Sequence, residues 1–413
     1  MNNGTKQILA PRIFLNVQDF GAVGDGVTKN TQALQAALDA CAGNGGGTVV
    51  VPPGCYLTGT IFLKSNIELH LPAGTRIVGV VESELYEDFC DPEFDAVAPE
   101  GSRKCLIACK NAENISITGS GEINGSGPAF YDTDVPEGVF FRKPARPRPR
   151  MVQFFKCRNV FIEGVSFVDS PGWTFWLIEC EDVRIHGIRI SGCQQMINND
   201  GIDIDSCRRV IIKDSFFKTG DDCLVLRAIR RAPDIPAVCE DVIVSDCILD
   251  SRCQGIRIGC PSDDTIRHCS FNNIIFRGVG SGIHCENPLR YLRMNCRGYL
   301  NAYDIRFEHF DIECGRFPLK INVEDGIKLR KIDGFFFSDI IIRAKQPICL
   351  LGTASSILEN ITLRNISGTI EADTPILAKY IQNLKLDNFN LTAVTGIPSP
   401  FKRIKNDSWE TKF

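Results

Sequence analysis

A chain of 413 residues, 44% hydrophobic and 23% charged, holds enough apolar mass for a large core, which excludes a disordered chain. Its formal net charge of −4 lacks the positive field that a phosphate backbone demands, so nucleic acid is not an expected partner. No stretch reaches the roughly 18 apolar residues of a membrane span, and Met1 to Gln7 carries no apolar leader, so no membrane partner and a cytoplasmic location are expected.

The first third opens with an extended segment and a glycine-punctuated turn, Asp19 to Gly26. A helix is then expected over about residues 30–43. Asn30 stands at its N-cap, Leu34, Ala37, Leu38 and Cys41 share one face, and the glycines from Gly43 to Gly47 end it. Short β-rich pieces follow at Gly47–Val51, Thr60–Leu63 and Ile67–Leu71, with Pro53-Gly54 as a turn.

From about residue 105 the sequence repeats. The phrase Cys-x-x-Val-x-(Ile/Val) begins at Cys157, Cys180, Cys207 and Cys239, at spacings in the twenties and low thirties. Such periods, built from short alternating strands, indicate a β-solenoid in which no coil can bury its apolar face alone. The expected fold is all-β: a single-stranded parallel β-helix over residues 1–413 as one domain, with the early helix closing its N-terminal end. Nineteen cysteines then read as reduced, buried small hydrophobes stacked from coil to coil. No Cys-x-x-Cys pair is present, which argues against zinc ribbons and thioredoxin-type chemistry.

Five aspartates concentrate in two neighbouring coils, in Asn198-Asn199-Asp200-Gly201-Ile202-Asp203-Ile204-Asp205 and in Thr219-Gly220-Asp221-Asp222. Period-2 alternation turns Ile202 and Ile204 inward, which puts Asp203 and Asp205 on the outer face with Asp200 at its edge. Asp221 and Asp222 follow about one coil later and are expected to stack beside Asp200 on an exposed strip. Like charges repel when crowded, so the cluster points to function: an acid/base pair for glycoside hydrolysis, or oxygen ligands for a divalent cation. Turn aspartates of a solvated face are the structural alternative.

At these residues the chain resembles glycoside hydrolase family 28, the polygalacturonase family of right-handed parallel β-helices. The resemblance runs through Arg146-Pro147-Arg148-Pro149-Arg150, Ser170-Pro171-Gly172-Trp173-Thr174, Asn199-Asp200-Gly201-Ile202-Asp203 and Gly220-Asp221-Asp222. It implies that Asp221 is the general acid, that Asp200 and Asp222 activate the water, that Asp203 supports them, and that the anomeric centre is inverted by single displacement. It implies no cofactor and no metal.

The departures are equally specific. Where the family carries Gly-His-Gly, this chain reads Cys253-Gln254-Gly255, followed by Ile256-Arg257. Where the family has Arg-Ile-Lys, the local match is His284-Cys285-Glu286, and Trp176 stands where many relatives place a His. Gln254, Arg257, His284 and Trp176 are therefore the expected substrate-binding residues beside Asp203, with Trp176 offering a face to a pyranose. Arg290, Arg293 and Arg297 are further candidates for a uronate. Together these point to a glycosidase acting on pectin-derived oligo- or polysaccharide, exo-acting, with specificity shifted away from polygalacturonate. Insertions at about Cys90 to Lys104 and Pro128 to Arg148 are expected to wall one end of the groove. A Ca²⁺-dependent lyase or epimerase, and a carbohydrate-binding β-helix without catalysis, are the rival readings.

Overall fold

The computed structural model describes residues 13–89, 103–135, 137–232, 234–259, 261–289 and 299–394, together with two short strands at Lys402–Ile404 and Ser408–Glu410. Cys90, Cys260, Cys296, Arg290, Arg293 and Arg297, and most of the 90–104 insertion, lie outside the described residues.

The chain winds into a right-handed parallel β-helix. Among the described residues one sheet has 22 strands and a second has 11, and the two short C-terminal strands pair with each other. Coil follows coil in strict register: Val160 pairs with Val183, Val183 with Val210 and Val210 with Val242. One residue before each of these valines, Asn159, Asp182, Arg209 and Asp241 take left-handed backbone with φ of 53–56°. Three of the four are Asn or Asp, the side chains that tolerate this region best, which accounts for the polar residue inside the repeated phrase.

The interior is a continuous apolar column. Phe271, Phe307 and Phe337 stack ring on ring at centroid separations of 5.2 and 4.8 Å. Cys157, Cys180, Cys207, Cys239 and Cys269 are all buried. Cys207 Sγ lies 3.4 Å from the Cys180 amide nitrogen. Cys55, Cys193 and Cys253 are the partly exposed cysteines among the described residues.

The N-terminal helix spans Thr31–Gly43 and buries Leu34, Ala37, Leu38 and Cys41, packing on the first strands of both sheets. Asn30 stands at its N-cap but caps nothing with its side chain. That side chain instead ties the preceding turn, accepting from Val23 N at 2.7 Å and donating to Thr28 O at 2.7 Å. No helix among the described residues is long and apolar enough to cross a membrane.

Candidate active site

The 11-stranded sheet carries the candidate site on its outer side. Alternation splits its residues into two sets of rows. Val152, Phe175, Ile202, Leu224, Ile256 and Ile283 are paired in register and point into the core. The next row, paired in the same way, reads Gln153, Trp176, Asp203, Val225, Arg257, His284 and Lys320. Seven residues scattered over 168 positions thus form one line, because each coil repeats the same register.

Asp200 lies just before the strand Ile202–Asp205, and Asp221 and Asp222 just before Leu224–Arg227. Pairing of Ile202 with Leu224 makes the coil offset 22 residues, so Asp222 is the stacked neighbour of Asp200. Asp221 Oδ2 accepts from Asn198 N at 2.9 Å and its Oδ1 from Asp222 N at 3.1 Å. Asp222 Oδ2 receives Arg257 Nη1 at 3.1 Å, and its Oδ1 receives Gln254 N at 3.3 Å. Asp200 is 2% exposed and its Oδ1 has no hydrogen-bond partner. Burial, reinforced by the charges of Asp221, Asp203 and Asp222, pushes the Asp200 carboxyl well above the ordinary aspartate range. Burial also raises Asp222, against the opposing pull of Arg257. Both shifts favour the protonated form, since two adjacent carboxylates in a dry site cannot both ionise freely.

The expected exposed strip is not found. Asp203 and Asp205 face outward from the sheet, yet both side chains have zero exposure. The segment after Arg227 folds back over them. Arg227 reaches Asp203 Oδ1 through Nε at 3.0 Å and Nη2 at 2.8 Å, and Arg231 reaches Asp205 Oδ2 at 2.8 Å. Alternation correctly separated inward from outward, but outward positions can still be roofed by a loop.

Trp176 differs from its expected role for the same reason. It is 1% exposed, Arg150 lies 4.5 Å over its ring, and Trp173 meets it edge-on at 5.2 Å. With Phe89, Phe155 and Ile178 these indoles form a second apolar cluster on the outer face of the early coils. No face of Trp176 is left for a sugar. Asp203 likewise is a support beneath the site rather than a surface that substrate can touch.

Gln254, Arg257 and His284 do come together. Gln254 Nε2 lies 3.0 Å from His284 Nδ1, His284 Nε2 lies 3.2 Å from Glu286 Oε2, and Lys320 Nζ lies 3.3 Å from Glu286 Oε1. Burial lowers the His284 imidazole below its usual value. A neutral ring accepts from the Gln254 amide at Nδ1 and leaves Nε2 in close contact with Glu286 without a well-aligned hydrogen bond. That contact, with Lys320 behind it, holds the Glu286 carboxyl at about 2. His268 and His309 sit at corner positions with φ of 53° and 57°, away from this row.

Arg148, Tyr131, Arg227 and Lys320 are site residues that the sequence reading did not single out for roles. Arg148 donates to Tyr131 Oη, to Pro171 O at 3.0 Å, to Ile197 O at 2.6 Å and to Asn198 Oδ1 at 2.8 Å. It thereby fixes the turn whose Asn198 N–H serves Asp221. The Arg-Pro repeat was the visible signal for Arg148; Lys320 could be found only by knowing the coil register.

Comparison with known proteins agrees with this geometry. Residues 48–232 match the family described as glycosyl hydrolases family 28, and residues 14–75 match the rhamnogalacturonase A/epimerase, pectate lyase-like family. Over those stretches the chain is similar to polygalacturonases. It is 28% identical over 282 residues to a probable polygalacturonase of Arabidopsis thaliana, covering 67% of this chain and 55% of that protein. It is 26% identical over 316 residues to an exopolygalacturonase of the same plant, covering 75% and 67%. The chain spans about half the length of the first two curated relatives it matches. Its fold is that of the exopolygalacturonase from Thermotoga maritima, with a TM-score of 0.77, 24% identity and 92% of each chain covered.

Proposed function

We propose that this chain is an inverting glycoside hydrolase that removes sugars from the ends of pectin-derived oligosaccharides, with specificity moved away from polygalacturonate. The observation that supports it most is the Asp200–Asp221–Asp222 cluster, in which burial and mutual repulsion raise the Asp200 and Asp222 carboxyls and so favour a proton shared beside a carboxylate able to activate water. Inversion by single displacement needs one carboxyl to protonate the leaving oxygen and another to deprotonate water on the opposite face. By the family resemblance Asp221, oriented by two backbone N–H groups, takes the first role, receiving the proton that the crowded carboxyls share. Asp200 and Asp222 take the second, with Arg257 fixing the Asp222 carboxyl.

Exo action is supported by the outer face of the early coils. There Phe89 packs with Trp173 and Trp176, and beside the coil of Asp200 Arg142 docks on Gln195 at 2.9 and 3.1 Å. Phe140 of that segment faces Arg252, 4.5 Å from its ring. A groove filled on that side becomes a pocket that admits a chain end. Altered specificity is supported by the His284–Glu286–Lys320 chain. Its anionic Glu286 repels a uronate carboxylate and accepts sugar hydroxyls instead.

The test is a panel of oligosaccharides ending in galacturonate, rhamnose or galactose, some with a blocked end, with the first-formed anomer followed by NMR. Inversion confined to unblocked ends supports the proposal. Mid-chain cleavage, retention, or full turnover by Asp221→Asn sinks it.

A further inference from the structure

Beyond Asp222 the outer face carries polar groups that the hydrolytic scheme does not use. Asp222 stacks under Gln254 one coil later, and Gln254 pairs with Ser281 one coil after that. The register that sets Ile283 beside Leu319 brings Phe317 next to Ser281. Asp222, Gln254, Ser281 and Phe317 therefore form a row about 14 Å long. The geometry points to a sugar subsite at Ser281, Arg316 and Phe317 that holds a uronate residue of the substrate, with its carboxylate at Arg316.

Three observations carry it. Ser281 and Gln254 are 1% and 6% exposed, yet Ser281 Oγ and Gln254 Oε1 have no hydrogen-bond partner. A buried hydroxyl and a buried amide oxygen are thus both available to the hydroxyls of a ligand. Phe317 is partly exposed, and Lys320 Nζ, from the outward row, lies 5.0 Å from its ring. That contact places the ring on the outer face, where it can stack on the apolar side of a pyranose. Arg316 is exposed, and its Nη2 passes over Gly280, 2.9 Å from where a Cβ would sit, so only a glycine there lets the guanidinium lie beside Ser281. Among the described residues this guanidinium has no hydrogen bond or ion pair, whereas Arg257 is matched by Asp222 and Lys320 by Glu286.

A uronate answers all three features. Its hydroxyls pair with Ser281 and Gln254, its ring lies on Phe317, and its carboxylate takes two parallel N–H bonds from Arg316. Glu286 stands near the far end of the strand Ser281–Asn287, about 16 Å from Ser281, and so does not oppose a carboxylate turned toward Arg316. The part this subsite plays in turnover rests on the hydrolase reading. There the sugar released is not a uronate while the one held behind it is, which makes the substrate a chain end that alternates neutral and acidic residues. The binding itself does not rest on that reading.

The experiment uses the whole protein carrying Asp221→Asn, so that no ligand is cut, and titrates it by calorimetry with a rhamnosyl-galacturonate disaccharide and with its carboxyl-reduced counterpart. The two differ in one carboxylate. At low salt the acidic disaccharide should bind about 10-fold more tightly, and added salt should narrow the gap. Arg316→Gln should close the gap without weakening the reduced sugar, Arg316→Lys should restore part of it, and Phe317→Leu should weaken both ligands. Phe336→Leu, at a partly exposed ring on the other sheet, is the control and should change neither. Equal binding of the two sugars, a gap that survives Arg316→Gln, or no binding of either overturns the subsite. Turnover that persists in Asp221→Asn removes the hydrolase reading alone, and a gap that depends on Arg316 keeps the subsite.

Discussion

Arg227 and Asp203 provide the sharpest test of how this site is supported. Their side chains are 5% and 0% exposed and meet through two N–H···O bonds of 3.0 and 2.8 Å. Arg227 also lies 4.4 Å over the Trp173 ring. Arg227→Met leaves a carboxylate buried without its cation, a loss of about 3–5 kcal/mol, with about 1 kcal/mol more from the cation–π contact. Asp203→Leu strands the guanidinium at a similar cost. The double variant places two apolar side chains in one buried space, so its cost should fall well below the sum, with a coupling energy of about 3 kcal/mol. Denaturant unfolding of the four proteins at pH 7 measures this cycle. A loss below about 1 kcal/mol for Arg227→Met, or strictly additive losses, refutes the reasoning. Kinetics supply a second reading. Because Asp203 touches no substrate, Asp203→Asn should lower kcat with KM little changed; a raised KM at constant kcat places it in the binding surface after all.

Asp200→Asn should lower turnover by about 10²–10⁴-fold while raising the unfolding midpoint at pH 7. The Asp200 carboxyl is raised in the folded chain, so its stabilising contribution is complete below its unfolded value near 3.8 and is lost as pH rises through the folded value. An amide escapes that loss, and an unchanged or lower midpoint at neutral pH contradicts the electrostatic account. His284 runs the other way: its depressed value gives stability that is full above about 6.5 and fades as pH falls through the folded value. His284→Gln should flatten that acid-side decline in a pH series of melts, and an identical pH slope counts against it. Arg148→Ala should lower kcat about 10- to 100-fold through the displaced Asn198 N–H, with partial recovery in Arg148→Lys, and a normal kcat in both shows that the turn holds itself.

Much of this protein was legible before any coordinates. The Cys-x-x-Val-x-Ile phrase announced the coils because a solenoid repeats one environment, and each Val of the phrase pairs with the next. The face of the N-terminal helix followed from spacing alone, as did the inward turn of Ile202 and Ile204. The aspartates were also found as a cluster, since two of the motifs lie one coil apart in a structure that stacks coils.

What lay beyond the sequence is whatever crosses between coils or covers them. Alternation assigns a side to Asp203, Asp205 and Trp176 but cannot say that Arg227, Arg231 and Arg150 cover them, because Arg227 and Arg150 reach across from neighbouring strands and Arg231 from a loop folded back over the sheet. Nor could it join Gln254, His284, Glu286 and Lys320 into one chain, as they come from three separate strands. Sequence by itself determined the repeat, the core rows and the acidic residues, since local periodicity dictates which side chains must leave water. Tertiary structure alone decided which of those acids are supports, which are buried and crowded, and that Cys253 stands among them, since burial and electrostatics belong to the neighbours that folding supplies.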